Sequence, residues 1–147
     1  MDRKEFCEIM SNAKVTNKLS WFDLMIATQT HERVLQKVFG GETNFFLETA
    51  LSLLPSLKLY LFVVKGNNFH CFESAKDAQK WIGEARTISI SKLAELTGVS
   101  CVALSTNLSG NSRMRIDTFL KSIKALKGEV FLVTINEWEL IRLKRQI

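Results

Sequence analysis

The chain has 147 residues, of which 46% are apolar and 24% are charged, a composition typical of a folded globular protein and not of a disordered one. The longest apolar run, Leu59–Val64, is far too short to cross a bilayer, and the opening residues lack the pattern of a signal peptide. Three cysteines at unrelated spacings argue against a disulfide framework. We therefore expect a cytoplasmic protein without a membrane partner.

The positive charge is concentrated in one half of the chain. Residues 1–73 carry eight basic and eight acidic side chains, whereas residues 74–147 carry twelve and seven. The formal net charge of +5 is therefore contributed by the second half. An excess of this size is a weak indication of a polyanionic partner.

The first half predicts three helices and a β-hairpin, on the basis of apolar spacing and turn residues. Pro55 lies near the predicted end of the third helix, and Gly66-Asn67-Asn68 forms the hairpin turn. In chain order the predicted elements are the helices Phe22–Ala27, His31–Phe39 and Asn44–Leu54 and the strands Leu59–Lys65 and Phe69–Phe72.

The second half predicts one further helix at its start and then the same order of elements, with clearer helix caps. A serine precedes each of the first three helices, Gly98 supplies the turn between the second and third, and Gly128 closes the fourth. The predicted elements are a helix capped by Ser74 and ending near Ala85, a helix Lys92–Thr97 capped by Ser91, a helix Cys101–Leu108 capped by Ser100, a helix from Ile116 to Leu126, and the strands Val130–Ile135 and Trp138–Lys144.

The chain matches itself at an offset of 69 positions, without a gap, from Leu19–Glu73 to Ile88–Arg142. Of these 55 pairs, 12 are identical, and they include glycine and threonine positions that amphipathic periodicity alone does not explain. The identical pairs are Ser20/Ser89, Leu24/Leu93, Thr28/Thr97, Leu35/Leu104, Gly41/Gly110, Thr49/Thr118, Leu51/Leu120, Leu57/Leu126, Lys58/Lys127, Phe62/Phe131, Val64/Val133 and Asn67/Asn136. We interpret the chain as a tandem duplication.

The duplication predicts two domains, residues 1–73 and residues 74–147, each a helix-turn-helix unit followed by a β-hairpin. The expected fold class is α+β and mostly α. Both faces of the first hairpin are apolar, and a two-stranded hairpin of this kind is unstable without a partner. We therefore expect the two hairpins to pair into one central antiparallel sheet, so that a single chain forms a pseudo-dimer and acts as a monomer.

A short helix, a three-residue turn and a second helix form the DNA-reading helix-turn-helix unit. In the second half Ala94 permits close helix contact, Gly98 takes the bend and Val99 fills the corner. The stretch from Ile90 to Leu126 resembles the lambda-repressor-like (Cro/repressor, XRE) family. Within that family, a helical bundle that runs directly into a strand is similar to the HipB-type antitoxins. The resemblance covers residues 75–133 and, through the repeat, residues 6–64. The first half departs from the pattern at Met25 and Gln29.

The resemblance implies that the start of the second motif helix reads DNA bases in each half. In repeat 1 these residues are His31, Arg33, Gln36 and Lys37, next to Glu32; in repeat 2 they are Cys101, Val102, Ser105 and Thr106. Arginine and glutamine can read guanine and adenine edges bidentately, whereas the repeat 2 residues can make only single hydrogen bonds or methyl contacts. The resemblance also implies phosphate contacts by Lys92, Arg113 and Arg115. A solvated charged face is the alternative for these three, and Arg142, Lys144 and Arg145 are interpreted as solubilising charges.

The sequence contains no pattern that indicates catalysis. Gly40-Gly41-Glu42 is not followed by the Lys-Ser/Thr pair of a phosphate-binding loop. The two histidines, His31 and His70, belong to no cluster of cysteines or carboxylates at metal-ligand spacing. We therefore expect no enzyme, no catalytic residue, no metal and no cofactor.

The function predicted from these observations is a sequence-specific transcriptional regulator that binds double-stranded DNA through two helix-turn-helix motifs. The alternative is a helix-turn-helix-derived interaction module, antitoxin-like or regulator-binding, whose partner is a toxin or a transcription factor. The weak reading face of repeat 2 favours the alternative, whereas Arg33, Gln36 and Lys37 favour DNA binding.

Overall fold

The computed structural model describes residues 1–72 and 74–146, the last two by their backbone. In this part the chain is α+β and mostly helical, with nine helices and three strands. In order they are α1 (Arg3–Thr16), α2 (Trp21–Thr28), α3 (Glu32–Phe39), α4 (Leu47–Leu57), β1 (Tyr60–Lys65), β2 (Asn68–Cys71), α5 (Ala75–Ala85), α6 (Ile90–Thr97), α7 (Cys101–Leu108), α8 (Ile116–Ala125), β3 (Glu129–Val133) and α9 (Ile135–Gln146).

The sheet has three antiparallel strands in the order β2-β1-β3. The predicted first hairpin is present as β1 and β2, and β1 pairs on its other edge with β3 from the second half. Phe62 of β1 lies opposite Cys71 of β2 and opposite Phe131 of β3. The expected pairing of the two halves through one sheet is therefore found, although only one half contributes a hairpin.

The prediction of a second hairpin, with a strand over Trp138–Lys144, is wrong, because this segment belongs to helix α9. The helix begins with a reciprocal cap in which the Glu137 amide donates to Thr134 Oγ1 over 3.3 Å and the Thr134 amide donates to Glu137 Oε1 over 3.2 Å. Such a pair satisfies two amides that the first turn would leave free. Arg142 and Lys144 therefore lie on a helix, and the side chain of Arg145 lies outside the described residues.

Several helix boundaries also differ from the prediction, most of all at α4, at α6 and after α8. Helix α6 is capped by Ser89, whose hydroxyl accepts from the Lys92 amide, and not by Ser91. Helix α4 begins and ends three residues later than predicted, so that Pro55 lies inside its last turn. After α8 the left-handed residue is Lys127, with φ 62°, and not Gly128.

Many structural details recur at the 69-residue offset. The bounds of α6 and α7 are those of α2 and α3 shifted by 69 positions. The hydroxyls of Thr28 and Thr97 donate to the carbonyls of Leu24 and Leu93, over 2.7 and 2.9 Å. Three left-handed positions in the first half have counterparts in the second, namely Gln29 and Gly98, Gly41 and Gly110, and Lys58 and Lys127.

One cluster of buried apolar residues includes side chains from both halves. Helix α1 packs against α8 from the other half, and α5 packs in the same way against α4. On β1, Leu61 and Val63 belong to this cluster, whereas Phe62 and Val64 belong to a smaller cluster on the opposite face of the sheet. Trp138 of α9 covers that second face, which explains why β1 is apolar on both sides.

Candidate nucleic-acid interface

In each half two adjacent helices are joined by a three-residue turn. In the first half the Ser20 hydroxyl caps α2, and Gln29, with φ 53°, ends it. Ser20 forms hydrogen bonds to the Asp23 carboxylate. These bonds stabilise the cap, and they lower the pKa of Asp23. The turn continues to His31, and α3 follows. The local geometry is that of a short helix, a three-residue turn and a second helix.

The equivalent unit in the second half is α6, residues 98–100 and α7. Gly98 takes φ 75° in the turn, and the Ser100 hydroxyl accepts from the Ala103 amide at the start of α7. Ala94 is 6% exposed, and Val99 packs against the core. These three residues therefore occupy the positions that close helix packing requires.

The predicted reading residues of repeat 1 all lie on the exposed face of α3 or at its start. This set consists of His31, Arg33, Gln36 and Lys37. The opposite face of α3 is buried through Leu35, Val38 and Phe39. Gln36 Nε2 lies 3.4 Å from Glu32 Oε1, which is a long contact. The face therefore presents the Gln36 amide and the basic side chains of Arg33 and Lys37 to solvent, with the Glu32 carboxylate beside them.

The predicted reading residues of repeat 2, Cys101, Val102, Ser105 and Thr106, are also exposed. Val102 is 77% exposed, and it carries no polar group. The Thr106 hydroxyl donates to the Ala103 carbonyl over 2.9 Å and accepts from the Ser112 hydroxyl. This face therefore has less free hydrogen-bonding capacity than α3.

Of the three residues predicted to contact phosphate, Lys92 lies on a helix, and Arg113 and Arg115 share one aromatic ring. Lys92 is exposed on α6 and lies 3.8 Å from Glu95 in an ion pair. Arg113 and Arg115 contact the ring of Phe46, each guanidinium carbon lying 3.9 Å from the ring centroid. Arg115 also donates to the Asn44 carbonyl over 3.0 Å. The structure thus brings the two arginines together on one ring, whereas Lys92 pairs with Glu95.

The segments that hold these arginines join the two halves, and we call them the seam (residues 44–47 and 113–116). The Leu47 amide donates to the Met114 carbonyl over 2.9 Å, and the Ile116 amide donates to the Phe45 carbonyl over 2.7 Å. Between them Phe46 and Arg115 form an isolated antiparallel bridge. The two donors, Leu47 and Ile116, are 69 residues apart, and so are the two acceptors, Phe45 and Met114.

Sequence reasoning did not single out Phe46 or Asn44. Both were available through the repeat, because at the 69-residue offset Asn44 corresponds to Arg113 and Phe46 corresponds to Arg115. At these offset positions the first half has an amide and an aromatic ring where the second half has two arginines. This difference indicates a contact only if residues 44–47 are already expected to lie against residues 113–116.

No family model, curated protein or solved structure was found to match this chain. Within residues 1–72 and 74–146, no helix is both long enough and apolar enough to cross a membrane. In the same part of the chain, no group of three histidine, cysteine or acidic side chains is placed to hold a metal ion.

Proposed function

We propose that this protein is a sequence-specific, DNA-binding transcriptional regulator of the lambda-repressor-like type. In this proposal two helix-turn-helix units arose by tandem duplication and act as a pseudo-dimer on one double-stranded site. Helices α3 and α7 enter successive major grooves, and the seam lies at the junction between them. The units correspond to the predicted domains, residues 1–73 and 74–147.

The observation that carries the proposal is the pairing of residues with their own counterparts. Phe62 lies opposite Phe131 in the sheet, and Phe46 lies opposite Arg115 in the seam. Each pair is separated by 69 residues, the offset of the sequence repeat. In an antiparallel ladder a residue faces its own counterpart only where a two-fold axis relates the strands. Two such pairs support a pseudo-dimer built within one chain.

The exposed surfaces support nucleic acid as the partner. Each half presents the outer face of a second motif helix, and in α3 this face carries Arg33, Gln36 and Lys37. Such side chains supply the donors that major-groove base edges accept. Arg113 and Arg115 add two exposed positive charges at the seam, suited to the phosphate backbone.

Fluorescence anisotropy with genomic fragments, repeated at several salt concentrations, tests the proposal. We expect Arg33→Ala and Gln36→Ala each to cost about 1–3 kcal/mol on the cognate site and little on random DNA. Arg113→Gln is the matched control: it should weaken both complexes and lower the salt slope by about 1. Unchanged specific binding by both α3 variants would refute the assignment of α3 as the reading helix.

The alternative function, a protein-interaction module, is favoured by one surface of the first half. Phe22 and Ile26 lie one turn apart on α2 and are 66% and 64% exposed. At the 69-residue offset their counterparts are the polar Ser91 and Glu95. Binding of a toxin or a transcription factor at this surface, together with no salt-dependent binding to any DNA fragment, would select this alternative.

A further inference from the structure

In the seam, one aromatic ring contacts the guanidinium groups of two arginines. The guanidinium carbons of Arg113 and Arg115 each lie 3.9 Å from the centroid of Phe46. The Asn44 carbonyl fixes one end of Arg115. Neither guanidinium forms an ion pair with a carboxylate in the described part of the chain. Two positive charges are therefore held near each other and remain free to meet an anion.

The Arg113 segment is also attached to the predicted reading helix of the second half. The side-chain amide of Asn107 donates through Nδ2 to the Arg113 carbonyl over 3.3 Å and to the Ser112 hydroxyl over 2.7 Å. Ser112 in turn donates to Thr106 Oγ1 on the exposed face of α7. These contacts fix the backbone of Arg113 relative to α7, while Phe46 orders its side chain.

The ring and the cations come from different halves of the chain. In a homodimer, two-fold symmetry would place identical residues at both ends of the seam. On the two-fold axis itself each residue would face an identical residue, so a ring at that point could not face an arginine. A single chain with two diverged halves permits Phe46 to face Arg115, its own counterpart. The divergence of Phe46 from Arg115 therefore permits a ring–arginine contact on the pseudo-two-fold axis, which a homodimer cannot make there.

From these contacts we infer that Phe46 is a positioning residue, which holds Arg113 and Arg115 as a preformed clamp for the DNA phosphates between the two reading helices. This inference rests on the proposed function. Arginine side chains lose considerable rotamer freedom when they bind an anion. A ring that orders both guanidinium groups beforehand reduces that loss, and cation–π contact supplies the attraction without neutralising the charge.

The test compares Phe46→Leu with Phe46→Tyr, since leucine keeps apolar volume while tyrosine keeps an aromatic face. Phe46→Leu should weaken binding to cognate and random DNA alike by about fivefold. The salt slope should stay at its wild-type value because both charges remain. Phe46→Tyr should bind like the wild-type protein. Equal binding by wild type and Phe46→Leu would overturn the inference, and so would equal losses in both variants.

A second measurement separates this inference from the proposed function. In the free protein, NMR shifts of the Arg113 and Arg115 side-chain protons report the ring current of Phe46 and need no DNA. We expect these shifts in the wild-type protein and in Phe46→Tyr, and their loss in Phe46→Leu. If the shifts are present but no fragment binds, the proposed function fails while the ring–arginine arrangement stands. Identical shifts in all three proteins would overturn the clamp.

Discussion

A glutamine occupies a backbone conformation that favours glycine. Gln29 has φ 53° at the turn after α2, whereas its counterpart Gly98 has φ 75° after α6. A Cβ atom at Gly98 would meet nothing within 4 Å, so the cost of a side chain there is that of the backbone conformation alone. Left-handed conformations cost non-glycine residues about 1–2 kcal/mol. The first turn is therefore strained relative to the second.

Exchanging these residues should have opposite effects on stability. We expect Gln29→Gly to raise the free energy of unfolding by about 0.5–1 kcal/mol, since relief of strain exceeds the added freedom of the unfolded chain. The matched variant Gly98→Gln should lower the free energy of unfolding by about 1 kcal/mol. Urea denaturation monitored by circular dichroism measures both. Effects of the same sign in the two variants would contradict this account.

Cys7 is a buried thiol whose ionisation is suppressed. It donates to the Val38 carbonyl over 3.1 Å, and burial raises its pKa from 9.0 to about 11, an effect that Arg3 partly offsets. Because the pKa is higher in the folded state, this group's stabilisation is complete below pH 9 and is lost as the pH rises through 11. The fold thus protects Cys7 and leaves Cys71 and Cys101 at the surface.

We expect iodoacetamide at pH 8 to label Cys71 and Cys101 in the native protein and to leave Cys7 unmodified. A thiol reacts as its thiolate, and Cys7 is both neutral and inaccessible under these conditions. Mass spectrometry of digested samples identifies the modified positions. The same reaction in urea provides the control, because all three cysteines should then react. Rapid native labelling of Cys7 would show that α1 detaches from α3.

Among the helices and strands, the sequence predicted the positions of α2, α3, α6 and α7 closely and misassigned the last segment. The helix from Cys101 to Leu108 has the predicted bounds and its predicted cap, because Ser100 and Gly98 act locally. The misplaced cap of α6 arose because Ser89 and Ser91 are both suitable caps. In the structure the Ser89 hydroxyl accepts from the Lys92 amide, and Ser91 lies inside the helix.

The segment after β3 was misassigned because the repeat outweighed the local signal. The first half continues into a hairpin, and the offset extended that pattern to Trp138–Lys144. The residues Thr134 and Glu137 nevertheless have capping-box spacing, which was a readable helix start. The sequence does not show that the face of the sheet that carries Phe62 needs a covering element. Trp138 stacks on Phe62 with ring centroids 3.7 Å apart and an interplanar angle of 4°.

Helix α9 should therefore contribute to stability through one residue above all. We expect Trp138→Ala to lower the free energy of unfolding by about 3 kcal/mol, since it removes a side chain that is 7% exposed and uncovers Phe62. Leu140→Ala is the control on the same helix: Leu140 is 60% exposed, and its loss should cost less than about 0.5 kcal/mol. Urea denaturation distinguishes the two. Equal effects would mean that α9 does not cover the sheet.

For the whole molecule, two sets of backbone contacts join the two halves of the chain. The sheet joins β1 to β3, and the seam joins residues 44–47 to residues 113–116. We expect light scattering to report a mass near 16.8 kDa for the free protein. A dilution series provides the control, because a monomer's mass does not change with concentration. A stable particle of twice that mass would indicate that pairing between chains replaces the internal pairing.

The DNA site of this protein should lack two-fold symmetry. Homodimeric helix-turn-helix proteins read palindromes because identical helices meet half-sites about 34 Å apart. Here the paired seam and sheet should preserve that spacing, whereas the two exposed faces differ at Glu32 and Cys101, Arg33 and Val102, Gln36 and Ser105, and Lys37 and Thr106. We expect a non-palindromic site across two major grooves, with sharper base preference under α3 than under α7. A selected-site library with footprinting measures this preference. An inverted repeat with equal information in both halves would instead require two chains, each using one motif.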